Sequence, residues 1–277
     1  MIRFANTEDK EKIQKMWSLC FSDTEEFQSL YFSKIFQANQ TLILEVRNTI
    51  VASLQIIPYD IRCNKKTLSA GYVFGAMTSP KYRNKGYMSK LLEAAFNEMK
   101  AMNMKLSLLI PQEEWLFGYY ARLGYVKAFP RSTQPVCLSP KTTGMKAFLV
   151  PDSFDITYQY KTLLNRQPQV VLKNEEQIAH FIEDHYASGG CIVACPQGIA
   201  LTLAEGDKIF IKELLAETED AQQALLAAIL DVYKQEWVSL SQYAKPDEAS
   251  ATYYGMVKIL DRTIKFLPNT YMSMMLD

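Results

Sequence analysis

The segment Val73-Phe-Gly-Ala-Met-Thr-Ser-Pro-Lys-Tyr-Arg-Asn-Lys-Gly-Tyr-Met88 constrains the fold more than any other stretch of the chain. It opens as an apolar strand pattern, is stopped by Pro80, and runs through a basic, glycine-containing turn. Beyond the turn, Met88, Leu91, Leu92, Ala95, Phe96 and Met99 recur at three- and four-residue spacing, which marks one face of an amphipathic helix. Strand, basic loop and helix thus follow one another directly. Such a loop turns successive backbone N–H groups outward, and the helix adds the positive end of its dipole, so the arrangement suits a phosphate or pyrophosphate. Gly86 stands where the main chain must approach the anion or take a positive φ. On these residues alone, a plain structural turn remains the alternative.

A second pattern follows downstream. Met104 to Ile110 reads as a short buried strand stopped by Pro111, and Glu113 to Leu123 as a helix closed by Gly124 in the position of a C-terminal cap. Read by themselves, Tyr119 and Tyr120 are packing aromatics with satisfied hydroxyls, as buried tyrosines usually are.

Together the two segments resemble the GCN5-related N-acetyltransferases. Arg83-x-x-Gly86-x-Met88 is similar to that family's pyrophosphate loop, Gln/Arg-x-x-Gly-x-Gly/Ala, and Tyr119-Tyr-Ala-Arg-Leu-Gly-Tyr125 to its Tyr-x-x-x-Gly-Phe/Tyr element. Met88 departs from the loop pattern in the manner of the subfamily that resembles the enhanced-intracellular-survival acetyltransferases. The resemblance implies an α/β fold with a mixed central sheet flanked by helices. It also implies acetyl-CoA as cosubstrate, with its pyrophosphate on the amides of Arg83, Asn84, Lys85, Gly86, Tyr87 and Met88. By the same resemblance, splayed amides at Ala76, Met77 and Thr78 hold the pantetheine arm and polarise the thioester carbonyl, and Tyr120 donates a proton to the departing thiolate. The chemistry needs such parts in any case: a free amine as nucleophile, N–H donors for the tetrahedral oxyanion, and an acid for the thiolate. The expected strand, Val73 to Ser79, carries no acidic residue, so the strand glutamate of many relatives is missing and the proton acceptor must lie elsewhere.

Length and composition fit two well-cored globular domains: 277 residues, with apolar residues at 48%. Thirty basic residues balance thirty acidic ones, which gives no signature of a nucleic-acid binder. Residues 1–135 hold 18 Lys and Arg against 12 Asp and Glu, and the remainder the reverse. A basic first half fits a polyphosphate cofactor, and solvated surface lysines would give the same count. No leader-like segment and no membrane-length apolar run is visible, so a cytoplasmic protein without membrane contact is expected. The five cysteines form no CxxC pair, and Cys191 and Cys195 read as small buried strand residues. His180 and His185 fall on different faces of one helix, so no metal site is expected.

The first half reads as strand Ile2–Asn6, a helix from Thr7, a second helix from Phe27 to Phe36, strands 41–46 and 50–58, and then the segments above. This order agrees with the acetyltransferase fold. Phe27, Leu30, Tyr31, Ile35 and Phe36 are either core or part of an acceptor channel. Pro130 to Pro151 reads as a linker, which divides the chain into a catalytic domain at 1–135, a linker at 136–150 and a second domain at 151–277. There the helix Glu175–Tyr186, strands 190–195, 199–204 and 208–215 and the helix 220–233 suggest a second, degenerate copy of the fold. Where a pyrophosphate loop would be basic it reads Ala216-Glu-Thr-Glu-Asp220, whose carboxylates would repel the cofactor.

The expected function is acetyl transfer to a primary amine of a small molecule or peptide. The alternative is a non-catalytic acyl-CoA-binding regulator, and a homo-oligomer is compatible with either. The stretch Leu267 to Asp277 is apolar and expected to pack inside the molecule, burying Met272, Met274 and Leu276. By resemblance to the enhanced-intracellular-survival group, the α-carboxylate of Asp277 is read as the proton acceptor; the alternative is an edge strand of the second domain.

Overall fold

The computed structural model describes residues 1–63, 66–140, 144–245, 251–266 and 269–276. In chain order the elements are β1 (Ile2–Phe4), α1 (Lys10–Cys20), α2 (Glu25–Leu30), β2 (Thr41–Val46), β3 (Thr49–Cys63), β4 (Lys66–Thr78), α3 (Tyr87–Ala101), β5 (Leu106–Leu109), α4 (Glu114–Ala121) and β6 (Val126–Cys137). They continue as β7 (Phe148–Val150), α5 (Thr157–Leu164), β8 (Val170–Leu172), α6 (Glu175–Ala187), β9 (Cys191–Cys195), β10 (Gly198–Glu205), β11 (Lys208–Ala216), α7 (Glu219–Tyr233), β12 (Trp237–Tyr243) and β13 (Thr252–Ile259). No helix among the described residues is long and apolar enough to cross a membrane.

The chain forms two compact units, one of Met1–Ala128 with Gly255–Leu267, the other of Phe129–Tyr254 with Pro268–Leu276. These bounds differ from the expected 1–135 and 151–277: Gly255–Leu267 groups with the first unit rather than the second, and the boundary after the first domain shifts. The division falls at Phe129, whose φ of 61° bends the chain inside β6. Residues 131–137, expected as the end of the first domain and the first two residues of the linker, pair in antiparallel register with β12, from Arg131 opposite Tyr243 to Cys137 opposite Trp237. Pro130 and Pro135 sit within this strand, since proline is tolerated wherever its missing N–H is not owed to a neighbour.

In the first unit the sheet order is β1-β2-β3-β4-β5-β13. Neighbours are antiparallel except β4 and β5, which are parallel. The apolar face foreseen for α3 closes this sheet: Leu91, Leu92, Ala95 and Met99 are fully buried among Leu42, Leu54, Ile56 and Leu109. β4 is longer than expected, because the small and polar residues from Lys66 to Gly71 also pair with β3. The expected second helix is two pieces, α2 and a π-helical turn at Tyr31–Ile35, closed by Phe36 N–H to the Tyr31 carbonyl at 2.7 Å.

The second unit has the sheet order β6-β12-β11-β10-β9-β7, in which β11 and β12 are parallel. Its helix α7 buries Ala221, Leu225 and Ile229 against Val193, Ala200 and Ile211. Met272 and Leu276 are buried as expected, whereas Met274 is half-buried, and Tyr271 makes a parallel bridge to Val170 rather than joining an edge strand.

Candidate functional site

In the first unit β4 meets β5 only from Ala70 to Tyr72, opposite Leu106 to Leu108. From Val73 to Thr78 the strand pairs with β3 alone among the described residues, so its other edge presents unladdered backbone groups. Within this stretch the register slips. Phe74 faces Gln55 and Met77 faces Ser53, which leaves Gly75 and Ala76 together opposite Leu54. This is a β-bulge, and Gly75 adopts the left-handed conformation (φ 57°) that such a bulge assigns to glycine. Sequence reasoning missed the bulge, although an isolated glycine inside a strand pattern is its usual signal. Ala76 lies in the bulge and Met77 and Thr78 directly follow it, the three residues singled out from the sequence.

The strand ends in a single 3₁₀ turn, Pro80–Tyr82, with Asn84 (φ 62°) and Gly86 (φ 73°) both left-handed before α3 begins at Tyr87. α3 has no side-chain cap and no acidic residue in its first turn. A helix start of this kind leaves N–H donors for an external acceptor. Lys81, Arg83, Lys85 and Lys90 stand exposed around it. A Cβ at Gly86 would meet nothing within 4 Å, so the glycine lies open to solvent. Arg83 is not free to swing at will, because its Nε donates to the Thr78 carbonyl at 3.2 Å and so ties the loop to the end of β4. Met88, the departure from the family pattern, packs with Tyr87 and Ala76 against the α3 core.

The two tyrosines of α4 differ. Tyr119 shares a hydrogen bond with Ser89 at 3.0 Å, which joins α4 to the first turn of α3. Tyr120 is buried, packs edge-on to Tyr125 and has no hydrogen-bond partner among the described residues. Burial, with a smaller contribution from Tyr119, pushes the Tyr120 phenol well above its ordinary value, so it stays protonated. Tyr125 is the satisfied packing tyrosine of the group, its hydroxyl 2.6 Å from Ser107 Oγ. The structure thus gathers Ala76, Tyr87, Met88 and Tyr120 around one apolar core. Asp277 lies outside the described residues.

Of the residues weighed as core or acceptor channel, Leu30, Tyr31 and Ile35 are buried, whereas Phe27 and Phe36 are half-buried. Trp17, Tyr31, Phe32 and Phe74 are all buried, with the Trp17 and Tyr31 rings stacked at 4.5 Å between centroids. Cys195 is buried and Cys191 half-buried in β9. His185 is buried, its Nε2 3.2 Å from the Cys191 carbonyl oxygen. The start of α7 in the second unit differs from that of α3. At the start of α7 Thr218 Oγ1 accepts from Ala221 N–H at 3.2 Å, and Glu219 and Asp220 fill the first turn.

Residues 1–128 match the family model described as an acetyltransferase (GNAT) domain. Among solved structures, the chain is similar to a probable N-acyltransferase from Enterococcus faecalis (TM-score 0.81, 14% identity, covering 94% of this chain and 72% of that one). It is similar also to a GCN5-related N-acetyltransferase from Kribbella flavida (TM-score 0.75, 16% identity, 95% and 71% covered). A third likeness is to Eis1 from Mycobacterium abscessus (TM-score 0.73, 13% identity, 95% and 74% covered). At such identities the likeness is one of fold. No curated protein sequence matches the chain. The bulged strand, open loop and uncapped helix therefore lie in the part of the chain, residues 1–128, that matches the acetyltransferase (GNAT) domain.

Proposed function

We propose that the chain transfers an acetyl group from acetyl-CoA to a primary amine. One observation carries the reading: a helix with no cap and no acidic residue in its first turn begins at a left-handed glycine, directly after a strand whose outer edge is unladdered from Val73 onward. The amides from Arg83 to Met88 hold the pyrophosphate, and the exposed cations around them complement its charge. The amides of Ala76, Met77 and Thr78 hold the pantetheine arm and stabilise the oxyanion that forms when the amine nitrogen adds to the thioester carbonyl. As the carbon–sulfur bond breaks, Tyr120 gives its phenolic proton to the departing thiolate. The amine gives up its own proton to an acceptor off β4, since no carboxylate stands between Val73 and Ser79. That same lack supports a second reading, a regulator that binds acyl-CoA without turnover. The neutral, unpartnered phenol of Tyr120 favours the enzyme.

The loop assignment is tested by Gly86→Asp. The substitution places a carboxylate among the N–H donors at a position with open space around it, so the core is untouched. Calorimetry with acetyl-CoA should show one binding equivalent in the wild type and loss of most affinity in the folded variant; unchanged affinity would refute the assignment. Thiol release with a panel of polyamines, aminoglycosides and lysine peptides then separates enzyme from regulator.

A further inference from the structure

The bulge at Gly75 is held from behind by a chain of buried contacts that the transfer chemistry does not itself require. A Cβ built on Gly75 would lie 2.5 Å from Trp17 Cζ3, so the indole ring of α1 rests directly against the bulged backbone. Trp17 is 2% exposed, and its Nε1 donates to Asp23 Oδ2 at 2.8 Å, which fixes the ring's tilt. Tyr31 stacks on the indole ring and also meets Phe74, the residue just before the bulge, at 5.4 Å between centroids. The Tyr31 hydroxyl donates to Gln55 Oε1 at 2.6 Å. Gln55 in turn donates through Nε2 to the Ile35 carbonyl at 3.1 Å, at the end of the π-helical turn, and to Gln40 Oε1 at 3.4 Å.

Gln55 is itself the β3 partner of Phe74, and at 1% exposure it is a buried amide with its oxygen and nitrogen both engaged. Burying it unbonded would be costly. The network begins and ends on the two strands that form the bulge. A π-helical turn is a rare and locally strained arrangement that needs outside support, and here the support comes from the same glutamine.

We propose that Gln55 and Tyr31, acting through Trp17, are positioning residues for acetyl transfer. They set the tilt of the bulge and hence the direction of the Ala76, Met77 and Thr78 amides. The inference rests on the reading of those amides as the groups that polarise the thioester carbonyl. They touch no substrate atom, and their effect is on geometry: a displacement near 1 Å at a reacting centre can cost roughly a hundredfold in rate.

The test uses the full chain, acetyl-CoA labelled with ¹³C at the thioester carbonyl, and infrared spectroscopy of the bound form. In the wild type the carbonyl band should move to lower frequency on binding. Tyr31→Phe keeps the ring stack and removes only the hydroxyl; Gln55→Leu removes the other end of the same bond. Each should lose most of that band shift, with acetyl-CoA affinity within about threefold, because the loop from Arg83 to Met88 is unaltered. The double variant should lose no more than the single ones, as two ends of one interaction do. Ile61→Val, at the opposite end of β3 and fully buried, supplies a core variant of modest cost whose band should match the wild type. An unchanged band in folded Tyr31→Phe overturns the inference alone. A wild-type band that does not move overturns the amide reading and the inference with it. Absence of acetyl-CoA binding overturns the proposed function. Should Gln55→Leu fail to fold, Tyr31→Phe carries the test by itself.

Discussion

Two glycines of the candidate site share a left-handed backbone but differ in surroundings, so replacing each by alanine isolates one contact. Gly75 has φ 57° and Gly86 φ 73°. An alanine in this region costs about 1 kcal/mol in backbone conformation at either position. Around Gly86 a methyl group meets nothing within 4 Å, so Gly86→Ala should cost about 1 kcal/mol and no more. At Gly75 the methyl would stand 2.5 Å from one indole carbon and 3.0 Å from the next, both on a ring that is stacked and hydrogen-bonded. Relief requires moving the ring or the bulge, and forced overpacking of that kind adds roughly 1–3 kcal/mol. Gly75→Ala should therefore lower stability by about 2–4 kcal/mol in urea unfolding followed by circular dichroism. In a Trp17→Leu background the same substitution should fall back towards about 1 kcal/mol, the conformational part alone. The reasoning fails if Gly75→Ala costs no more than Gly86→Ala, or if its cost is unaffected by shortening Trp17.

Two further outcomes follow from the same unit. Tyr120→Phe should lower turnover by roughly 10²–10⁴ with little change in the Michaelis constant for acetyl-CoA, whereas Tyr119→Phe should cost about 1 kcal/mol of stability through the lost Ser89 bond and leave turnover near normal; equal losses would mean that the acid is misplaced. Asp9 is buried and bonded to Arg3 through both carboxylate oxygens at 2.7 and 3.2 Å, with Asn6 N–H donating as well, and Arg3 holds its carboxyl below the ordinary value of 3.8. Because the folded value is the lower one, this stabilisation is present above the ordinary carboxylate range and lost as the pH falls through the folded value. Asp9→Asn should thus cost about 2 kcal/mol at neutral pH and flatten the acid limb of the stability profile; an acid limb as steep as the wild type's would exclude Asp9 as its source.

The sequence showed the parts of the site that depend on local chemistry. Pro80, the basic turn, Gly86 and the apolar spacing of α3 announce themselves because a break, a charge run and a period are properties of neighbours in the chain. The tyrosine pair was visible, but which hydroxyl is free depends on Ser89, thirty residues earlier in the chain and brought close only by packing. The bulge at Gly75 was legible in principle and was read past, since the strand's apolar run continues on both sides of it. What the sequence hid altogether was β6. Its two prolines argue locally for a linker, and only the ladder with β12, about a hundred residues away, makes it a strand. β13 was hidden for a like reason, pairing with β5 across a separation far beyond any local pattern.

The second unit supplies a natural control for the electrostatics of the first. Both α3 and α7 follow a strand that runs parallel to its neighbour for only a few residues, Ala70–Tyr72 in one case and Phe210–Ile211 in the other. A likeness of backbone would therefore allow two anion sites. The side chains decide otherwise. Thr218 already occupies one donor of α7, and Glu219 and Asp220 satisfy the positive end of its dipole from within the chain, a stabilising arrangement for the helix and a repelling one for a pyrophosphate. α3 forgoes both devices at Gly86 and gives up a few tenths of a kcal/mol of capping stability, together with the favourable charge at its dipole, in doing so. A helix start left in that state is explained if a ligand completes it. Gly86→Asp gives α3 the carboxylate that α7 carries by nature, so the loss of binding expected of that variant is also what the proposal expects of the second unit.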